Sequence, residues 1–230
     1  MQGLKKALVF AFFVATLVVL VIGFQKAMVA PVDAQQGEIY RAIYYHVPNA
    51  IWALCFGYVN LIGALGVLYF RSRDPLKAAA WDALAIAGAE VTVVYCTVCL
   101  VTGSLWGRVA WGIWWTWDER LTTTLLLWLL YVSYLLLRRF SPPGQTSTLA
   151  SVLSVFAAVD IPIVYFSIRW FRTQHPAPVF GGGDGSGMDK SMYPAFLWNL
   201  TAWFLWGCFV MGLRYISARR ERQAELEVVL

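Results

Sequence analysis

The residues of this chain best suited to chemistry are two histidines and a cluster of tryptophans. Trp106, Trp111, Trp114, Trp115 and Trp117 fall within twelve positions, followed by Asp118, Glu119 and Arg120. One or two tryptophans at a membrane surface are ordinary depth anchors. Five together, closed by an acid, suggest a surface that receives something flat and aromatic. His46 and His175 are the only histidines. His46 lies in YYHVPN, where Pro48 suits the first turn of a helix and biases Val47 toward extended backbone. His175 lies in HPAP, where Pro176 and Pro178 restrict the chain. Stiff backbones suit ligands that must meet a metal at a fixed distance. Either histidine alone reads as a solvated loop residue beside a proline; the tryptophan segment lying between them in sequence points instead to a shared site.

Read as a helix at about 100° per residue, Trp111, Trp114, Trp115 and Asp118 share one stripe. Trp117 lies at its margin and Arg120 points away. Such a segment would lie in the membrane interface and offer its indoles to lipid or ligand. Asp118 is also placed to cap the helix that follows, which does not prevent it from serving a site.

Two imidazoles can fill both axial positions of a haem iron, and indole faces stack on a macrocycle. Arginines pair with propionates, and Arg41, Arg108, Arg120 and Arg172 are all candidates. A structural zinc site wants four ligands, and the outer loops hold no thiols. A non-haem iron triad of two histidines and Asp118 leaves the tryptophans without a purpose. With both axial positions taken, no open position remains for oxygen or substrate, which leaves electron transfer or handover. A bis-His subunit exchanging electrons with quinol and a tryptophan-anchored subunit without haem are the alternatives. No residue set supplies a nucleophile, a base and an orienting third group, so the chain reads as a delivery factor rather than an enzyme.

The elements that position these residues follow from composition. The 230-residue chain is 60% hydrophobic and 13% charged, about half the charge of a soluble domain. Crossing a bilayer as a helix takes about 20 apolar residues, and six runs qualify: 7–25, 50–70, 81–102, 121–137, 149–168 and 192–216. The expected fold is an all-α integral membrane protein, with residues 1–230 forming one six-helix domain. The apolar run after Lys5 and Lys6 is too long for a secretory h-region and reads as a retained span. Eleven of the eighteen Lys and Arg residues fall at the N-terminus, in the second and fourth loops and in the C-terminal tail. Both termini are therefore expected in the cytoplasm, and the net charge of +5 reflects this bias rather than nucleic-acid binding. Loops 26–49, 103–120 and 169–191 then face outward, which puts both histidines and the tryptophans on one side.

At the tryptophan segment the chain resembles a known family. WGIWWTWDERLT, from Trp111 to Thr122, is similar to the WWD domain of membrane haem-handling proteins. Length, six spans and a histidine loop on either side of that domain resemble the haem exporter protein C (CcmC) family of cytochrome c maturation. Asp160-Ile-Pro-Ile-Val and Arg172-Thr-Gln-His175 are similar to it as well. The resemblance implies haem b held at the periplasmic face of the cytoplasmic (inner) membrane, with His46 and His175 as axial ligands. Residues 103–120 form the WWD haem-binding loop, and Trp106, Trp111, Trp114, Trp115, Trp117, Asp118 and Arg120 belong to the haem platform. The implied partners are the haem chaperone CcmE, the single-span protein CcmD and the ABC transporter components CcmA and CcmB.

Four cysteines, Cys55, Cys96, Cys99 and Cys208, sit in apolar runs, where packing is the expected role. Glu90 and Asp160 lie inside spans; local hydrogen bonding to Ser, Thr or Tyr is the favoured reading over a role beneath the site. The glycine-rich stretch 181–187 lacks the preceding strand and following helix of a phosphate loop.

Overall fold

The structure, a computed structural model, describes residues 2–140, 146–179 and 187–229. Six helices carry almost all of them: α1 (Gln2–Val29), α2 (Ile43–Phe70), α3 (Pro75–Ala110), α4 (Glu119–Phe140), α5 (Thr146–Trp170) and α6 (Tyr193–Val229). Each contains a stretch long and apolar enough to cross a membrane, and no strand occurs among the described residues. Helices suit this setting because lipid offers backbone groups no partner, so each N–H and C=O must be satisfied within the segment.

The helix starts are written in short polar signals. Asp74 caps α3, its carboxylate accepting from the Lys77 amide at 3.0 Å, and Pro75 takes the first helical position, where a missing N–H costs nothing. Asp118 plays the same part for α4, accepting from the Arg120 amide at 2.9 Å. Asp189 accepts from the Ser191 amide in a 3-10 turn, Lys190–Met192, that leads into α6.

α2 and α3 pack most intimately. A Cβ at Gly63 would stand 2.5 Å from the Ala85 backbone nitrogen, so only glycine permits this approach. Small residues at helix interfaces allow such contact in membranes. Asn60 donates across the same interface to the Ala85 carbonyl at 2.8 Å. The main core joins α2, α3, α4 and α5 around Phe56, Tyr95, Leu127, Tyr131 and Ile161. α1 lies along α6, with Phe13 against Phe209 and Asn199 donating to the Gly23 carbonyl.

Two elements differ from the sequence expectation. α2 begins at Ile43, so His46 stands on the first turns of a helix and Val47 is helical, not in an extended loop. The reason is packing: Ile43 and Tyr44 are buried with Ala27, Met192 and Phe196, and a 3-10 turn at Glu38–Ala42 feeds directly into the helix. Pro48 is accommodated within α2 near its start. Conversely, the tryptophan stripe is not helical. α3 runs on to Ala110 and takes in Trp106, whereas residues 111–118 form a turn and an irregular stretch. Gly112, at φ +79°, breaks the helical path there.

Buried charges are handled by pairing. Arg138 on α4 makes two bonds to Asp82 on α3, at 2.8 and 2.5 Å. Glu90 is bonded by Arg214 of α6, an ion pair in place of the expected local hydrogen bond. Asp160 is 4% exposed, and its Oδ2 has no hydrogen-bond partner among the described residues. The four cysteines are free, and Cys96 and Cys99 are buried in the helix core. The glycine-rich stretch lies outside the described residues except for Gly187.

Candidate functional site

The first turns of α2, the last turns of α3, the start of α4 and the segment after α5 meet at one end of the bundle. There the rings of His46 and His175, far apart in sequence, have centroids 6.5 Å apart and planes 36° apart. His46 is buried and His175 half-buried.

Each imidazole is oriented through its Nδ1. His46 Nδ1 lies 3.1 Å from Thr102 Oγ1, and that hydroxyl spends its own proton on the Val98 carbonyl at 2.6 Å. Thr102 therefore accepts, His46 Nδ1 donates, and Nε2 keeps its lone pair. His175 Nδ1 lies 2.9 Å from the Pro176 carbonyl, which can only accept, so the same tautomer follows. Burial first, then the Arg120 guanidinium, push the His175 imidazole down to about 4, leaving it neutral at physiological pH. Metal-binding histidines usually donate the proton of the nitrogen not bound to metal to a nearby oxygen, as both imidazoles do here through Nδ1. Metal–nitrogen bonds of about 2.0 Å would place two imidazole centroids about 6 Å apart across one ion. The observed spacing fits.

Trp106 completes the wall behind His46. Its ring meets the His46 ring edge-on at 5.8 Å and Tyr40 at 5.6 Å, and its Nε1 donates to Gln36 at 2.7 Å. Gly103 leaves room for the imidazole: a Cβ there would stand 2.8 Å from His46 Cε1. Thr102, Gly103, Gln36 and Tyr40 were not singled out from sequence. Thr102 and Gly103, one helical turn before Trp106, were in principle findable once α3 was extended through that residue.

The remaining tryptophans are more open. Trp111, Trp114 and Trp117 are exposed, Trp117 at 76%, whereas Trp115 is half-buried and meets Trp117 edge-on at 5.8 Å. The segment is pinned by Ser104, which donates to the Trp114 carbonyl at 2.7 Å, and by Arg108, which donates to the Gly112 carbonyl and lies over the Trp114 ring.

Arg120 does not point away from the site. Its guanidinium donates to the Val164 carbonyl of α5 and is an electrostatic neighbour of both histidines. Arg41 is taken up by Glu38 and by the Ala27 carbonyl at 2.5 Å. Arg172 is exposed in the groove between Trp117 and the His175 segment. Asp118 faces backbone: Oδ1 accepts from the Arg120 amide and Oδ2 from the Gln174 amide, both at 2.9 Å. Burial opposes its ionisation, but bonds from Thr173, Gln174 and Arg120 together hold its carboxyl below the usual carboxylate range. Among the described residues no group of three or more His, Cys, Asp or Glu side chains could hold a metal ion.

The family profile described as Heme exporter protein C matches residues 1–229. The heme exporter protein C of Bradyrhizobium diazoefficiens is 40% identical over 179 residues, 77% of this chain and 65% of that protein, so less than two thirds of its length is covered. That of Escherichia coli K12 is 33% identical over 202 residues, 86% of this chain and 76% of the relative. A ccmC-like mitochondrial protein of Marchantia polymorpha, named for cytochrome c biosynthesis, is 34% identical over 181 residues, 79% of this chain and 75% of the relative. The profile spans nearly the whole chain, and the chain belongs to the heme exporter protein C family.

Proposed function

We propose that this protein binds haem at the outer face of the inner membrane and presents it for cytochrome c maturation, with haem as cargo rather than as a reaction centre. His46 and His175 supply the axial nitrogens. Trp106 backs the His46 imidazole, and Trp111, Trp114, Trp115 and Trp117 form an apolar shelf on the stretch between α3 and α4. Arg120, beside both rings, supplies positive charge for a propionate, and Asp118 braces the loop. The bound iron contributes its affinity for imidazole lone pairs; orientation, exclusion of water and release are the work of the chain.

The observation that carries this reading is the meeting of two remote imidazoles, each engaged through Nδ1, an arrangement that leaves Nε2 as the ligating atom. Exposed indoles on the segment leading into α4 suit handover, because cargo held at a rim can be passed to an acceptor. In this reading both termini are cytoplasmic, the cargo is haem b, and the acceptor is the chaperone CcmE, with CcmD, CcmA and CcmB as membrane partners.

Purification of the full chain in detergent with haem tests the proposal. A Soret band and a positive pyridine haemochrome assay are expected, with the band altered in H46A and in H175A and partly restored by free imidazole. A double H46A/H175A variant that retains haem with an unchanged spectrum would refute the ligand assignment.

A further inference from the structure

Within the haem-binding reading above, on which it rests, we infer that Asp118 is a positioning residue. Its carboxylate locks the backbone of residues 173–175 onto the start of α4, and so sets the distance of His175 from His46, instead of touching haem.

The two histidines are supported very differently. His46 stands on α2, held by helical hydrogen bonds and by the walls of α3. His175 follows the end of α5 at Trp170, in a segment with no regular structure. Pro176 and Pro178 have no N–H to give, so this stretch has few backbone donors with which to anchor itself. The Gln174 amide goes directly to Asp118 Oδ2. The His175 amide donates to Thr173 Oγ1 at 2.9 Å, and the Thr173 hydroxyl in turn bonds the Asp118 side chain. Both donors next to the imidazole therefore lead to one carboxylate.

Capping α4 requires only one carboxylate oxygen, and Oδ1 does this through the Arg120 amide. Oδ2 is what an ordinary cap would leave to water; here it reaches across to a residue 56 positions away in sequence. The same carboxylate thus fixes the first turn of α4, which carries Arg120, and the segment that carries His175. Movement of the tryptophan loop is thereby coupled to the position of an axial histidine. A haem acceptor that displaced residues 111–118 would loosen His175 by the same motion.

The test is a double-mutant cycle on the full-length chain in detergent, with haem affinity and the visible spectrum measured for wild type, D118N, H175A and D118N/H175A. D118N is expected to weaken haem binding about 10–100-fold, as loss of an outer-shell partner does. It should shift the spectrum in the direction of H175A, and free imidazole should reverse the shift. The double variant should bind no more weakly than H175A, because the two residues act through one bond to iron. Additive losses would place Asp118 on the haem and overturn the inference, as would a wild-type spectrum and affinity in D118N. Hydrogen exchange at the Gln174 and His175 amides reads the lock without haem. Exchange at least about tenfold faster in D118N is expected, and unchanged exchange overturns the inference. T173V, which leaves the α4 cap in place, should speed exchange at His175 and serves if D118N fails to fold; unchanged exchange there counts equally against the inference. A wild-type chain with no Soret band would instead defeat the haem-binding reading, and the exchange result would still judge the lock.

Discussion

The two ends of the helix bundle treat their polar side chains in opposite ways. At the end carrying the α2–α3 turn, the buried groups close on one another: Asp82 and Arg138 form a two-bond pair, and Arg222 of α6 approaches the same carboxylate at 3.9 Å. At the other end, His46, His175 and Arg120 converge with no carboxylate among the described residues ion-paired to them, and the nearby Asp118 gives its oxygens to backbone amides. A cluster whose charges pair with one another ties helices together. Two imidazoles and a guanidinium left without a carboxylate partner among the described residues, at the same end as exposed indoles, suit a ligand. In the proposed reading, the first end carries stability and the second carries binding.

Substitutions should separate these roles, beginning with the largest effect. H46A or H175A is expected to weaken haem binding by more than the roughly 10–100-fold typical of an outer-shell partner, with thermal stability nearly unchanged; haem titration and a melting curve report both. Large destabilisation without spectral change would erase the contrast between the ends. D82A or R138A strands a buried partner charge and should cost about 3–5 kcal/mol in stability. Its haem spectrum, once folded, should match wild type, and a denaturation series in detergent reads the cost.

Two glycines sharpen the same contrast. G63A drives a methyl into the α3 backbone and should destabilise by about 1–3 kcal/mol without a spectral signature. G103A drives a methyl against the His46 ring and should alter the haem spectrum more than the melting temperature. The smallest effect is expected from T102V. It removes the acceptor of His46 Nδ1 and should lower haem affinity by about tenfold, at the low end of outer-shell losses. Haem retention equal to wild type in T102V would show that the Thr102 contact does not orient the ring.

Much of the architecture was legible in the sequence. Apolar length alone located six helices, because a span must satisfy its own backbone and cannot be short. The histidines and tryptophans stood out by rarity and crowding. What escaped was set by contacts between distant segments. His46 belongs to α2 because Ile43 and Tyr44 find partners on α1 and α6, which no local pattern encodes. The tryptophan stripe was drawn on a helix that Gly112 interrupts, and glycine within a periodic run is a signal easily outweighed by hydrophobic spacing. Arg120 was assigned outward by the same false helix, whereas the start of α4 turns it toward α5. Asp82 lay unremarked inside an apolar run, though a carboxylate at that depth calls for a partner such as Arg138.

The central claim is that His46 and His175 coordinate one iron, and the absorption spectrum of the haem-loaded chain in detergent addresses it most directly. The account predicts a six-coordinate bis-imidazole spectrum in wild type, its loss in either single alanine variant, and its partial return on addition of imidazole. A bis-imidazole spectrum that survives in the H46A/H175A double variant would contradict it.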